Sequence, residues 1–533
     1  MPYSKVARRM RLHPNALTQG AAPVFNGLCI ERPDWNCTTL SSAVPICTVS
    51  LYSAHAYSEG ASMRFVGRQH EMSWLDGELA RADRGRGRLV AVRGRRQVGK
   101  SRLLTEWVER TGRPSLYYQA RGATPEFELA AFSDAARNSS LSGLADLVDA
   151  GVTWPSWDAA LGTLARTLDD QGPAPVVVID EFPYLLGGDS SIEGVLQAIW
   201  DHQLSRRPIL LILVGSDLAM METIATYGRP LYGRIDTQRQ LDPLGIPDVA
   251  DLLDVAATDA IDTYLMTGGF PKIIAALDEA GTAGALLDAA VQDEAHPLVF
   301  TGLQIMAADF PPETSARDVL VAIGHGERRF NKIQTRAGVS ERTLATTLRL
   351  LRDKGVVRAT DPRARTVVSG RTQYLIADPY LRFWLRFLAG RIEDISRGVG
   401  DQVAADVRAQ WQTFAGRAIE PHVQRAIERL GSAGQFDDAR WVGSYWTKNN
   451  DVEVDLVGTA RRDGGPVGLI GAIKWREQRP FGPADGQALH AAASHIEGAG
   501  PATVTVGVSR TGFEPDPQVD VCLGPDDLVA ALA

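Results

Sequence analysis

Residues 88–109 read RLVAVRGRRQVGKSRLLTEWVE, and the fold is decided in this stretch. An apolar strand, Leu89 to Val92, runs into Gly94-Arg95-Arg96-Gln97-Val98-Gly99-Lys100-Ser101, and a helical pattern follows. This is G-x-x-x-x-G-K-[ST] in the strand–loop–helix setting that the motif requires. The glycines let backbone N–H groups close around phosphate oxygens, and the next helix adds the positive end of its dipole. Lys100 is placed to reach the β and γ phosphates of ATP, and Ser101 to ligate Mg2+. The segment from Gly94 through Arg102 is therefore the predicted nucleotide seat.

Such a loop needs an acidic partner at the end of a second apolar strand. PAPVVVIDEFPYLL (173–186) supplies one, with Val176 to Ile179 running into Asp180-Glu181. Asp180 is expected to complete the magnesium shell, and Glu181 to polarise the attacking water. A third apolar strand, PILLILVGSDLAMME (208–222), ends at Gly215-Ser216-Asp217. Ser216 is the candidate to sense the γ phosphate; a plain strand-end turn is the alternative. YGRPLYGRIDTQRQLDPL (227–244) then offers Arg229 and Arg234. Either is suited to stabilise transition-state charge, within one subunit or across an interface, and Arg234 is taken as the candidate.

Taken with FVGRQHEMSWL (65–75), RPLYGR (229–234) and YLMTGGFPKII (264–274), these motifs resemble the archaeal-type P-loop ATPase domain. That family belongs to the AAA-like group with an added catalytic-glutamate strand. The resemblance spans about residues 64–290. It implies a five-stranded parallel sheet with the phosphate loop after the first strand. It also implies that Phe65, Val66 and Arg68 contact the adenine side, and that Gly268 to Pro271 opens a helical lid near the nucleotide.

The rest of the chain has to be read around this core. At 533 residues the protein is too long for one core. Its 44% hydrophobic and 23% charged residues are ordinary for a globular chain, and no apolar run nears the roughly 18 residues that span a bilayer. A net charge of −8 excludes a globally basic nucleic-acid binder, so any DNA contact needs a local patch. The cysteines (Cys29, Cys37, Cys47 and Cys522) form no CxxC pair, which fits a reducing, cytoplasmic setting. Residues 1–62 lack periodicity and are expected to be a disordered extension, with Met63 as the natural start.

The expected organisation places the ATPase core at 63–245, a helical lid at 246–312, a winged helix-turn-helix at 313–378, a helical connector at 379–410 and a C-terminal α/β domain at 411–533. For the winged helix, ARDVLVAIGHG (316–326) and FNKIQTRAGV (330–339) precede SERTLATTLRLLRDKGVVRATDP (340–362). Ser340 is an N-cap, Leu344, Leu348 and Leu351 form a buried stripe, and Gly355 ends the helix. Arg342, Arg349, Arg352 and Lys354, with Arg363 and Arg365 of the wing, are the candidate DNA contacts. The alternative is a solvated helix face on a module packed against the ATPase. Phe383, Trp384 and Phe387 read as interface anchors.

The C-terminal stretch is ordered αβββαβ, with strands RWVGSYW (440–446), VEVDLVG (452–458) and VGLIGAIKW (467–475). That order resembles restriction-endonuclease-like domains. With YLIADPYLRFW (374–384) and WREQRP (475–480), it also resembles the domain of unknown function that often follows archaeal-type ATPase domains. The resemblance implies a metal site at Glu420, Asp455, an acidic residue at 472, and Lys474. Position 472 is alanine, and a methyl group cannot ligate a hard cation. Glu453, two residues before Asp455 on the same strand face, is a substitute in principle, but it sits on the wrong strand for an x-Lys geometry. The expectation is a nuclease-like fold with a defective metal site.

Three functional readings follow. The first is a Mg2+-dependent ATPase acting as a switch or motor, coupled to DNA or an unidentified protein partner, with a homo-oligomer allowed. The others are an ATP-gated nuclease and a nucleotide-sensing interaction protein with negligible turnover.

Overall fold

Strands that are apolar at successive positions need cover on both faces, and the central strands of the first sheet have it. The structure is a computed structural model that describes residues 64–533 except 170–171, 311–314, 367–370, 437–438 and 450. The extension expected at 1–62, its cysteines and the start at Met63 lie outside the described residues. β1 (Arg88–Arg93), β2 (Ser115–Gln119), β3 (Val176–Asp180), β4 (Leu210–Gly215) and β5 (Thr237–Gln240) form a parallel sheet in the order β2-β3-β4-β1-β5. Val90, Val92, Val178 and Ile212 enter one core, while Leu89, Ala91, Val177 and Leu211 enter another on the opposite face. The five-stranded expectation holds. Gly94, Asp180 and Gly215 all fall at the C-terminal ends of strands, where open parallel sheets bind ligands.

Helices Ile246–Leu253, Ala257–Thr267 and Pro271–Ala280 follow the sheet. Pro271 opens the last of these close to Gly99 of the phosphate loop. Ile246, Ile261 and Leu265 share a core with Ala415, Ile419, Leu456 and Val506 of the C-terminal region. Asp262 joins the two by accepting from Trp475 Nε1 at 3.3 Å and from Arg510 at 2.6 Å.

Helices Ala316–Gly324, Phe330–Ala337 and Glu341–Asp353 come next, with an antiparallel ribbon of β6 (Val357–Thr360) and β7 (Gln373–Ile376). Ser340 caps the third helix by accepting from the Thr343 N–H; Leu344, Leu348 and Leu351 are buried, and Gly355 ends it at φ +68. The segment after β6 corrects one expectation. Its Arg363 N–H donates to the Ser444 carbonyl, and the guanidinium donates to Thr459 Oγ1 at 3.0 Å. Arg363 is therefore a strut against the C-terminal sheet and not a free wing contact. Arg365 stays exposed, although its backbone is bonded to Glu497 and Gly465.

The helix Pro379–Phe387 is an internal anchor, as expected. Tyr380, Phe383, Trp384 and Phe387 are buried, and the Tyr380 hydroxyl and Trp384 indole N–H donate to the Leu298 and Val299 carbonyls, each at 2.9 Å. Gly302 lies directly under that indole, where a Cβ would sit inside van der Waals contact. Gly302→Ala is expected to cost about 1–3 kcal/mol through overpacking. Scanning fluorimetry should show a melting point several degrees lower, with Gly194→Ala, which meets nothing within 4 Å, unchanged or higher.

The long helix Gly400–Ser432 then runs unbroken through the domain boundary expected at 410/411. β8 (Trp441–Trp446), β9 (Glu453–Arg461) and β10 (Gly464–Lys474) form an antiparallel meander. β11 (Val504–Ser509) lies parallel to β10, reached through helix Pro483–Ala493, and β12 (Val521–Leu523) and helix Pro525–Leu532 complete the domain. The αβββαβ order stands, with one strand and one helix added.

Candidate functional site

The phosphate loop turns so tightly that side chains are excluded at its two glycines. A Cβ on Gly94 would lie 2.5 Å from the Leu241 carbonyl, and Gly99 has φ +91. Lys100 opens the following helix, and its Nζ donates to the carbonyls of Gly94 at 2.9 Å and Arg95 at 3.1 Å. Burial lowers the pKa of this ammonium, while Glu181 and Asp180 act in the opposite sense. Val98 is buried beneath the loop.

Opposite the loop, Asp180 is wholly buried, and oxygen atoms converge on it. Ser101 Oγ donates to its Oδ2 at 2.6 Å and the Tyr117 hydroxyl donates to the same atom at 2.7 Å. The Glu181 N–H donates to Oδ1 at 2.9 Å. Burial and the Asp180 charge hold the Tyr117 phenol far above its ordinary range, so it stays a donor. Glu181 adopts a left-handed backbone, φ +52, a conformation that costs a non-glycine residue of order 1 kcal/mol. That turn aims its carboxylate at the end of β4, where Oε2 accepts from Ser216 Oγ at 2.8 Å and Ser216 N at 3.2 Å. Lys100, Ser101, Asp180, Glu181 and Ser216 are thus brought to one place.

Other predicted residues lie at the rim. Arg68 Nη2 donates to the Val98 carbonyl at 2.9 Å, tying the segment of half-buried Phe65 and Val66 to the loop. Arg95 pairs with Asp378 at 2.7 Å. Arg96 reaches the Tyr184 hydroxyl. Gln97 donates to Gln304 at 2.8 Å and accepts from Thr301 at 3.0 Å. Arg102 points away from the loop, 3.8 Å from Glu106.

Two arginines do not join. Arg234 donates to both oxygens of Asp201 and precedes β5, so it sits at the N-terminal end of the sheet. A six-residue strand separates that end from the loop by about 20 Å. Arg234 therefore cannot face the phosphates of its own subunit. Arg229 is engaged by buried Glu193. Sequence reasoning also missed Tyr117, Thr301, Gln304 and Asp378. Tyr117 became readable only once β2 was known to pair with β3.

A second cluster lies in the C-terminal region. Arg417, Glu420, Glu453, Asp455, Lys474 and Arg476 line a cavity of about 310 Å³. The predicted Glu420, Asp455 and Lys474 do converge, and Asp455 Oδ2 accepts from the Ile473 N–H at 2.8 Å. Burial, reinforced by Asp455 and opposed by Arg328, pushes Glu420 up to about 7. Burial also raises Asp455. Position 472 was expected beside Asp455, and the register of Gly471 opposite Leu456 carries it there, but alanine offers no ligand. Ala472 is buried and belongs to the apolar cluster of Val457, Phe481 and Leu489. Among the described residues no group of three or more His, Cys, Asp or Glu side chains is placed to hold a metal ion.

On the third helix of the middle module, Arg342, Arg349 and Arg352 are exposed. Lys354 is not free as expected: its Nζ donates to the Asp309 carbonyl at 3.0 Å and lies over the Phe310 ring. No described helix is long and apolar enough to cross a membrane.

Comparison with known proteins places these observations. Residues 65–277 match the model of an ATPase domain predominantly from Archaea, and residues 384–482 match a family of archaeal and bacterial proteins of unknown function. The uncharacterized protein MJECL04 of Methanocaldococcus jannaschii is 23% identical over 418 residues, covering 78% of this chain and 88% of its own. Among solved structures, the Walker-type ATPase PABY2304 of Pyrococcus abyssi is 20% identical, covering 60% of this chain and 96% of that one, with a TM-score of 0.45. The Aeropyrum pernix ORC2 protein is 15% identical, with coverages of 65% and 96% and a TM-score of 0.40. Residues 65–277 are thus similar to the ATPase domains found predominantly in Archaea, and residues 384–482 to the archaeal and bacterial family of unknown function.

Proposed function

We propose that the protein hydrolyses ATP with Mg2+ at the Lys100–Asp180–Glu181 site and acts as a switch read by the modules that follow. The observation that carries this reading is the convergence of five functional groups from three strand ends. The donor set fits the metal: Ser101 Oγ and Asp180 Oδ2 are hard oxygen atoms 2.6 Å apart at the loop. Bound there, Mg2+ would neutralise charge on the β and γ phosphates. The loop N–H groups and Lys100 bind the triphosphate, with Lys100 exchanging the Gly94 and Arg95 carbonyls for phosphate oxygens. Glu181 orients a water and takes its proton as the water oxygen bonds to the γ phosphorus. The bond from that phosphorus to the β–γ bridging oxygen breaks, leaving ADP and phosphate. Ser216 positions Glu181, a sharper role than sensing alone.

The switch component is supported by where the loop's outer side chains go. Arg95 bonds to Asp378 of the middle module and Gln97 to Thr301 and Gln304 in the 246–312 segment, so a change at the loop is felt outside the sheet domain. That module, three helices and a ribbon, is read as a winged helix braced on the C-terminal sheet. Lys100→Ala is expected to reduce ATP affinity at least 100-fold, measured by equilibrium binding of a fluorescent ATP analogue. Unchanged affinity would overturn the assignment of the loop.

A further inference from the structure

Some arginines of this acidic chain answer a carboxylate; Arg88, Arg113, Arg234 and Arg391 are examples. A group around the segment 416–422 of the long helix does not. Among the described residues Arg328, Arg358, Arg417 and Arg425 make no side-chain ion pair or hydrogen bond, and Arg382 donates only to the Arg417 carbonyl, at 2.9 Å. They arrive from separate elements. Arg328 precedes helix Phe330–Ala337, Arg358 is on β6, Arg382 is on helix Pro379–Phe387, and Arg417 and Arg425 are on the long helix. Arg358, Arg382 and His422 line one small cavity of about 50 Å³, and Arg417 lines the 310 Å³ cavity beside it.

We propose that this arginine cleft, between the β6–β7 ribbon and the long helix, binds the phosphodiester backbone of a nucleic acid. The interface is thereby moved away from the outer face of helix Glu341–Asp353, and the inference does not depend on ATP turnover. Three features favour phosphates. The cations are all guanidinium groups, whose planar fork matches phosphate oxygens bidentately. They repel one another: burial, with Arg328, Arg358 and Arg417 adding to it against Glu420, brings Arg382 down to about 10. An anion laid along the cleft relieves that repulsion, and a chain of regularly spaced anions relieves it at both cavities at once. The carboxylates Glu420, Glu453 and Asp455 line the larger cavity together with Arg417, Lys474 and Arg476.

The test is fluorescence anisotropy of labelled 30-nucleotide DNA and RNA probes, single- and double-stranded, with the full chain at several salt concentrations. Arg358→Glu with Arg417→Glu reverses two exposed side chains and is expected to weaken binding at least 10-fold with an unchanged melting point. Arg358→Gln with Arg417→Gln should lower the magnitude of the slope of log affinity against log salt by about two on duplex. Arg342→Glu with Arg349→Glu should stay within about 2-fold of wild type. Loss of binding in that last pair but not in the cleft pair would overturn the proposal. So would an absence of binding to every probe at micromolar protein in low salt. Displacement of the probe by polyglutamate as readily as by unlabelled DNA would also overturn it, marking the cleft as a seat for an acidic protein segment.

Discussion

Glu181→Gln protein is expected to bind ATP with wild-type affinity and to hydrolyse it at least 100-fold more slowly. The magnitude is that of losing a positioned general base. Glutamine is nearly isosteric, and its amide oxygen can still accept from Ser216 Oγ, so the arrangement at the end of β4 persists while the proton acceptor is gone. The measurement is single-turnover release of phosphate alongside equilibrium binding of the same nucleotide. Ser216→Ala should fall between the two proteins, because Glu181 would keep its basicity and lose its orientation. Restoring a threonine hydroxyl at 216 should recover part of the rate, which a merely structural role would not do. A Glu181→Gln protein that turned over at the wild-type rate would show that the base is elsewhere.

What the sequence made legible follows from how local each signal is. The phosphate loop, the Val176–Asp180 strand and the Leu210–Gly215 strand are contiguous runs, and each emerged where its pattern placed it. Ser340, Leu344, Leu348, Leu351 and Gly355 were equally readable, because a cap, a stripe and a terminator lie within a few turns of one helix. Arg234 lies away from the phosphate loop of its own subunit for a topological reason. Sequence proximity to β4 said nothing about which end of the sheet it occupies, and the start of β5 lies at the end away from the loop. Arg363 and Lys354 failed because a basic residue on a ribbon or helix looks solvated until the partner surface is known. Ala472 is subtler: Lys474 does come to the cavity of Glu420 and Asp455, while residue 472 is buried in the apolar cluster of Phe481 and Leu489, a packing that the strand pattern alone did not reveal. The arginine cleft was invisible because its members span residues 328–425 and meet only through tertiary packing.

Asp378 was also invisible, and it carries the second large expectation. Its Oδ1 accepts from the Leu381 N–H at 2.8 Å, capping helix Pro379–Phe387, while its Oδ2 holds Arg95 of the phosphate loop at 2.7 Å. The two side chains are only 9% and 15% exposed, so water cannot replace either partner well. Asp378→Ala removes the cap, worth about 1 kcal/mol, and strands a largely buried guanidinium, worth about 3 kcal/mol. In scanning fluorimetry of the full chain the melting point is expected to drop by roughly 4 °C. Arg95→Ala leaves the cap in place and should cost less. The double substitution Arg95→Ala with Asp378→Ala should melt above Asp378→Ala alone, because no charge is then left unpaired. That sign of non-additivity distinguishes a direct pair from two independent losses. ATP affinity of Arg95→Ala should remain within a few-fold of wild type, since the loop N–H groups and Lys100 supply the phosphate contacts. Its turnover is the sensitive readout, because Arg95 links the loop to the helix that carries Arg382 one turn beyond Asp378. Simple additivity in the melting points would mean that Arg95 and Asp378 are neighbours without being coupled, and the route from nucleotide out of the sheet domain would then rest on Gln97, Thr301 and Gln304.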